Sequence, residues 1–475
     1  RYLEAQKRGA KIVVIDPRKS ETAQRADQWI QIEPGTDTAL ALGMVRILAH
    51  EKMLDEPFLR AHTGAPYLVG ANGKLMREKA DDPLSYVVLD EKTGKIVRHD
   101  TPGITPALTT AGTPVAATAK TALQLTLAEA EPWTPEAVQA ETTVPAATVV
   151  QLAREFGKSG ASMIVQNMGS FQRTEQGGYA AGSHFLLCIL TGNFGRPGTG
   201  VCDAGGVTQM AKFGAPIPAP KKAPAKTTSI PISKTGNWVL HDKPYKINVW
   251  YSLTTGLVGQ FPNANEVIRA IKHVPFFVVA ENLMTPTAMY ADIVLPATTV
   301  YERNDISGAG EQARNMIVAM HQLVPPQGEC RDDYWITSEL ARRIGVFDAF
   351  TEGKTLEDWI RATYEKAAKT AELSLDTVPT FEEFWRSGIL KFEPTESGRR
   401  FVDFEDFRND PVGHPLQTPS GKIEIWSKKI ESYGYADCLP HPAYFEPSEG
   451  FARATKEFPL ALVAPKSVMR PHSLL

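Results

Sequence analysis

Three acids in this sequence stand just past short apolar runs: Asp16 after the run at 11–15, Asp37 shortly after the run at 29–32, and Glu281 after the run at 276–280. Each run is rich in β-branched or aromatic residues and has the length of a buried parallel strand. Open α/β sheets take their ligands at the carboxyl ends of strands, and a helix starting there adds free N–H groups and a positive dipole. Asp16 and Asp37 therefore stand where the base edge, ribose or phosphate of a nucleotide is held, and Glu281 where a ribose hydroxyl or guanine edge is met. A different set follows the strand pattern at 161–166, in Asn167-Met168-Gly169-Ser170-Phe171-Gln172-Arg173-Thr174, before Gly177-Gly178 open a helix. Gly169 permits close backbone approach, Gln172 offers a donor and an acceptor to a heteroaromatic ring, and Arg173 suits a phosphate. Each residue also has a plainer use: Asp16 and Asp37 as helix caps, and Asp292 as a partner for local backbone groups.

These residues need αβ units to position them, and the chain supplies the pattern. Helices are expected at 149–156, 180–190 and 265–272, and strands at 247–251, 276–280 and 293–295. The section at 64–132 shifts to Gly, Thr, Ala and Pro and reads as a surface insertion. It contains a hairpin at 85–99 around Glu91-Lys92-Thr93-Gly94. A Gly-rich loop spans 192–206, and a flexible Pro/Lys/Ala/Thr loop lies at about 214–237. Beyond residue 323 the pattern turns helical, at 334–344 and 355–369, followed by a small strand unit at 421–426. Alternating strands and helices of this kind argue for mostly parallel α/β sheets.

The bulk numbers narrow the function. With 475 residues the chain can build several domains, and 43% hydrophobic with 22% charged residues is globular composition. A net charge of −3 and a pI of about 6.4 carry no basic surplus, which speaks against nucleic acid as a partner. No apolar run reaches the roughly 18–20 residues of a membrane span. Cys188, Cys202, Cys330 and Cys438 form no C-x-x-C, and no His pair has zinc-like spacing, so the four read as free thiols. No G-x-G-x-x-G follows a strand where a nicotinamide enzyme would place it.

The wording of these motifs resembles the molybdopterin oxidoreductases of the dimethyl sulfoxide reductase family. The carriers are Ile15-Asp16-Pro17-Arg18, Thr22-Ala23, Ala26-Asp27 and Pro34-Gly35-Thr36-Asp37, then Gly169 through Gln172-Arg173 and Leu190-Thr191-Gly192-Asn193-Phe194-Gly195. The series continues with Gly198-Thr199-Gly200-Val201, Ala291-Asp292-Ile293-Val294-Leu295-Pro296, Glu302-Arg303, the turn TPSGKIE at 418–424 and Arg470-Pro471-His472-Ser473. Phrases at 337–346 (TSELARRIGV), 351–359 (TEGKTLEDW) and 379–384 (PTFEEF) look like the catalytic subunit of anaerobic dimethyl sulfoxide reductases. Two departures are Glu281, where members generally carry Asp, and Pro197-Gly198-Thr199, where many carry a double glycine.

The resemblance implies two nucleotide-binding αβ domains with mostly parallel sheets and the start of a C-terminal β-rich barrel. The first domain would cover 1–157 with its insertion at about 64–132, and the second 158–300. A return to the first would follow at 301–450, and the barrel would begin at 451–475. The cofactor implied is molybdenum with bis(molybdopterin guanine dinucleotide). Its expected contacts are Asp16, Pro17, Arg18, Ser20, Gly35, Thr36, Asp37, Met168, Gly169, Gln172, Arg173, Glu281, Thr285, Asp292, Arg470, His472 and Ser473. In the family the side chain on the metal and the iron–sulfur cysteines lie upstream of the IDPR strand. No catalytic residue or protein ligand to molybdenum is therefore expected in this sequence. The chain opens inside a helical pattern without Met and closes just past an apolar strand at 460–463, so it reads as an internal fragment. Reduction of an S-oxide or N-oxide by oxygen-atom transfer is the implied chemistry. An iron–sulfur electron-transfer subunit and a membrane anchor would be the partners, and the location periplasmic or membrane-associated after twin-arginine export. Two other readings keep the fold: a catechol dehydroxylase or hydroxyl transferase on the same cofactor, or an electron-transfer relative that has lost the pterin. The intact Gln172-Arg173, Pro34–Asp37 and His472-Ser473 series argues against the last.

Overall fold

The computed structural model describes residues 2–79, 81–166, 169, 171, 174–203, 230–253, 255–308, 316–371, 378–391, 400–449 and 456–460. They belong to two compact units, one built on Arg1–Gly206 with Phe401–Leu462 and the other on Val207–Arg400.

In the first unit, β1 (Val13–Ile15), α1 (Glu21–Arg25), β2 (Gln28–Ile30) and α2 (Asp37–His50) follow one another, and β1 and β2 pair in parallel. Helix α2 reads DTALALGMVRILAH, rich in Ala and Leu, with Asp37 in the first turn and His50 in the last, as the helix dipole favours. It is buried from Thr38 to Val45 and again at Ile47 and Leu48, the mark of a helix central to its core. Around it lie α3 (Ala122–Ala130), α4 (Pro135–Thr142), α5 (Ala146–Lys158) and α6 (Gly177–Leu190), contributing Leu123, Val138, Val149, Leu186, Leu187 and Leu190 to one apolar cluster. Gly43 allows α4 to come close, since a Cβ there would run into the Val138 side chain.

The expected surface insertion is only partly on the surface. Strand β3 (Leu68–Gly70) pairs antiparallel with β6 (Ala119–Thr121), and the expected hairpin is β4 (Val87–Leu89) with β5 (Ile96–Arg98). Buried Asp90 fixes that hairpin by accepting from Thr93 Oγ1 at 2.8 Å and Thr105 N at 2.9 Å. The section then runs into α3, opened by a capping box between Thr121 and Gln124, and α3 carries Ala122, Leu123 and Ala130 into the main core. Strand β7 (Met163–Gln166) pairs in parallel with β8 (Gly200–Asp203), a strand inside the stretch read as a Gly-rich loop.

In the second unit β9 (Val249–Leu253), β10 (Phe276–Glu281) and β11 (Ile293–Pro296) form a parallel sheet with β10 in the centre. Helix α7 (Ala264–His273) sets Val267 and Ile271 against Phe277 and Val279 on one face. Ile336 of α8 (Asp333–Arg343) meets Ala280 and Ala297 on the other. A separate antiparallel sheet joins β12 (Asp305–Gly308), β13 (Met316–Met320) and β14 (Ile389–Lys391). It shares a small core with α9 (Leu356–Ala371) and α10 (Phe381–Ser387).

The unit boundaries differ from the domain reading. The stretch from 158 to Gly206 stays with the first unit, because Leu186, Leu187 and Leu190 pack in its core. The stretch at 301–400 falls in the second unit, where its strands and helices make their own sheet and core. Two local expectations also change. Residues 421–426 form a single bridge between Thr63 and Ile423 rather than a strand unit, since Gly421 turns the chain with φ +70 just before it. Thr235–Leu240, which overlaps only the end of the flexible loop expected at about 214–237, is helical. Of the segment at 451–475, residues 456–460 are described and carry no regular secondary structure.

Candidate functional site

The register Ile15↔Ile30 makes β1 and β2 end level, so Asp16 and Gln31 leave from the same edge. Asp16 N donates to Ile30 O at 3.1 Å, and Trp29 Nε1 donates to Asp16 O at 2.9 Å. One Asp16 carboxylate oxygen accepts from Arg18 N at 2.8 Å, while Gln31 Nε2 reaches Pro17 O at 3.4 Å. Pro17 and Arg18 are exposed. Ser20 caps α1 by accepting from Ala23 N at 3.3 Å. Asp16 is therefore not the helix cap, which is Ser20; one of the Asp16 oxygens instead holds the loop at Arg18 N.

From β2 the chain turns at Pro34-Gly35, with Gly35 at φ +85, a conformation that favours glycine. Thr36 is buried and donates through Oγ1 to Glu33 O at 2.8 Å. Asp37 then opens α2. Burial pushes its carboxyl up to about 6, and among the described residues no basic side chain is paired with it. A half-buried carboxyl at a helix start, helped only by its own backbone N–H, is costly unless something more donates to it. A heterocycle edge carrying N–H donors would satisfy it.

The second unit repeats the first motif. Val13–Ile30 reads VVIDPRKSETAQRADQWI, and Val278–Leu295 reads VVAENLMTPTAMYADIVL. At equivalent positions Ser20 and Thr285 accept from Ala23 N and Ala288 N, at 3.3 and 3.2 Å. Asp27 Oδ2 accepts from Ile12 N, and Asp292 Oδ2 from Phe277 N, both at 2.7 Å. The same pairs close the other way, Asp27 N to Ile12 O and Asp292 N to Phe277 O, each at 2.9 Å. Asp16 corresponds to Glu281, whose Oε1 takes Asn282 N at 2.9 Å.

The structure therefore brings Asp16, Pro17, Arg18 and Ser20 to the carboxyl end of β1 and sets Gly35, Thr36 and Asp37 in the turn that leaves β2. In the second unit Glu281 and Thr285 follow the carboxyl end of β10. Asp292, expected among the cofactor contacts, lies at the amino end of β11, where its carboxylate ties two strands together. Gly169 is exposed, and a Cβ there would meet open space. Met168, Gln172, Arg173, Arg470, His472 and Ser473 lie outside the described residues. Among the described residues no cluster of His, Cys, Asp and Glu could hold a metal ion, and no helix is long and apolar enough to cross a membrane. Sequence reasoning missed Trp29 and Gln31, which bracket the Asp16 loop, and Glu175, whose partner is distant in the chain.

A sequence model of the family described as molybdopterin oxidoreductase matches residues 1–343. The chain is 32% identical to a trimethylamine-N-oxide reductase of Haemophilus influenzae, covering 100% of this chain and 54% of that protein. It is 33% identical to a dimethyl sulfoxide/trimethylamine N-oxide reductase of Cereibacter sphaeroides, over 98% of this chain and 54% of the relative. With the dimethyl sulfoxide reductase DmsA of Escherichia coli the identity is 31%, over 99% and 56%. The chain thus spans about half the length of the curated relatives it matches. Among solved structures, acetylene hydratase from Pelobacter acetylenicus superposes with a TM-score of 0.61 at 18% identity, over 96% of this chain and 56% of that one, which supports the fold. On the extent of matched sequence, the chain belongs to the molybdopterin oxidoreductase family.

Proposed function

We propose that this chain holds the nucleotide ends of a bis(molybdopterin guanine dinucleotide) molybdenum cofactor, in a catalytic subunit that reduces S-oxides or N-oxides. The observation that carries the reading is the half-buried Asp37 carboxyl at the start of α2, which has its own backbone N–H but, among the described residues, no cationic partner. The names of the relatives, trimethylamine-N-oxide and dimethyl sulfoxide reductases, support the substrate class. An iron–sulfur electron-transfer subunit and a membrane anchor, on the periplasmic side, complete the proposal on the strength of the family resemblance.

In the first unit Asp37 would accept from the N–H donors of a guanine edge. Asp16 would accept through the oxygen that Arg18 N leaves free, and the N–H groups of the α2 start would face negative charge. Glu281 would do in the second unit what Asp16 does in the first, with the rest of the glutamate beyond its Asn282 contact. When bound, molybdenum and its dithiolenes supply the two-electron chemistry of oxygen-atom transfer. The chain's own part is to bind and orient.

The test is occupancy in the intact protein that contains this chain, read as molybdenum content and released GMP. Replacing Asp37 by Ala removes acceptors worth about 1–3 kcal/mol, which is roughly a 5- to 150-fold weaker hold. Asp16→Ala should follow with a smaller loss. Full occupancy in both variants would leave these acids with only the loop and helix-start contacts they already make.

A further inference from the structure

Two side chains that leave β2 hold the loop carrying Asp16, and we infer that Trp29 and Gln31 are positioning residues for the nucleotide end bound in the first unit. This deepens the reading of Asp16 and Asp37 given above and rests on it. Trp29 Nε1 donates to Asp16 O at 2.9 Å, and Gln31 Nε2 donates to Pro17 O at 3.4 Å. The two stand two residues apart, the spacing that sends extended-chain side chains to one side. The loop is therefore gripped at two consecutive carbonyls from β2, and at Arg18 N by one oxygen of Asp16 itself. With the main chain settled in this way, the other Asp16 oxygen is placed before any ligand arrives. An acceptor already in place loses less on binding than one that must first be ordered.

The corresponding loop of the second unit is built without these donors. Val294 stands where Trp29 does and Pro296 where Gln31 does, and neither side chain has an N–H to give. There β10 and β11 stay paired one residue further, to Glu281↔Pro296, and Ala297 N donates to Glu281 O at 3.1 Å. The strand-end acid of the second unit is thus held by backbone, and that of the first by two side chains. Pairing of β1 with β2 does not need them, because Asp27 already closes that register at the other end through Ile12 N. The indole and amide N–H groups therefore serve the loop, and through it Asp16.

Trp29→Phe isolates the indole N–H, since a phenyl ring keeps a face for Lys19, whose Nζ lies 5.7 Å from the Trp29 ring centre. The probe is GMP, titrated by calorimetry into the intact, cofactor-free protein. Trp29→Phe should weaken, by about 3- to 10-fold, the GMP site that Asp37→Ala also weakens. Gln31→Ala, which removes a longer bond from an exposed side chain, should weaken it about twofold. The decisive readout is coupling. Once Asp16→Ala has removed the carboxylate, adding Trp29→Phe should change GMP affinity by less than about 1.5-fold. A Trp29 that only packs would lower the denaturant midpoint and leave GMP affinity as it was, or weaken GMP equally with and without the Asp16 carboxylate. Either result overturns the inference while Asp37→Ala still weakens GMP. If the unaltered protein binds no GMP, or Asp37→Ala binds it as tightly, the reading of Asp37 fails and this inference falls with it.

Discussion

Residues 13–30 of the first unit and 278–295 of the second carry the same hydrogen-bond scheme under different surfaces. In both, a hydroxyl four residues past the strand-end acid accepts from the backbone N–H three residues on, and an Ala-Asp pair then locks the next strand in register. The surfaces differ. Arg18, Lys19, Gln24, Arg25 and Gln28 of the first copy correspond to Leu283, Met284, Met289, Tyr290 and Ile293 of the second, and these five apolar residues are exposed. What the two copies share is what the backbone needs, and what they do not share is free to serve something else. Asp27 and Asp292 fall in the first class, whereas Asp16 and Glu281, of different length, fall in the second.

That division is open to measurement. The largest effect is expected at the shared aspartates, because removing either carboxylate strands a backbone N–H of the neighbouring strand. Asp27→Ala and Asp292→Ala should each lower the denaturant midpoint of unfolding, with cofactor occupancy per folded molecule unchanged. Loss of occupancy in Asp292→Ala at unchanged stability would restore it to the ligand contacts and break the equivalence. A smaller effect is expected at the two hydroxyls, where Ser20→Ala removes a helix cap at about 1 kcal/mol and Thr285→Ala, whose lost hydroxyl caps no helix, costs less. A larger loss in Thr285→Ala than in Ser20→Ala would mean that the second hydroxyl does more than hold its turn.

Much of this scaffold was legible in the sequence because it depends on local signals. The β-branched runs before Asp16 and Glu281, the Pro34-Gly35 turn and the alanine- and leucine-rich α2 each announce themselves within a few residues. Strands β8 and β14 were not legible, being only a few residues long and paired to strands far along the chain. The Glu175–Ser448 contact joins residues 273 apart, and nothing near either one points to the other. The α3 helix hid within a section whose Gly, Thr, Ala and Pro content suggested loop, although its capping box was present at Thr121 and Gln124. Asp292 shows a different limit. Its motif was recognised, but whether the carboxylate faces a ligand or a backbone N–H depends on which end of the strand it occupies.

The central claim is that Asp37 is kept half-buried and without a cationic partner for a ligand, at a cost to the protein without it. Its carboxyl is raised from 3.8 to about 6, so the folded chain holds this proton more tightly than the unfolded one. Stability therefore falls as pH rises through that window, and above it the ionised group costs on the order of 1–3 kcal/mol. Asp37→Asn removes the charge and keeps the shape. At pH 7.5 or so, in the intact protein, the variant should unfold at higher denaturant when cofactor-free, by the equivalent of about 1–3 kcal/mol. It should also hold markedly less molybdenum and GMP. A variant that is no more stable, and that retains its full cofactor, would contradict the account.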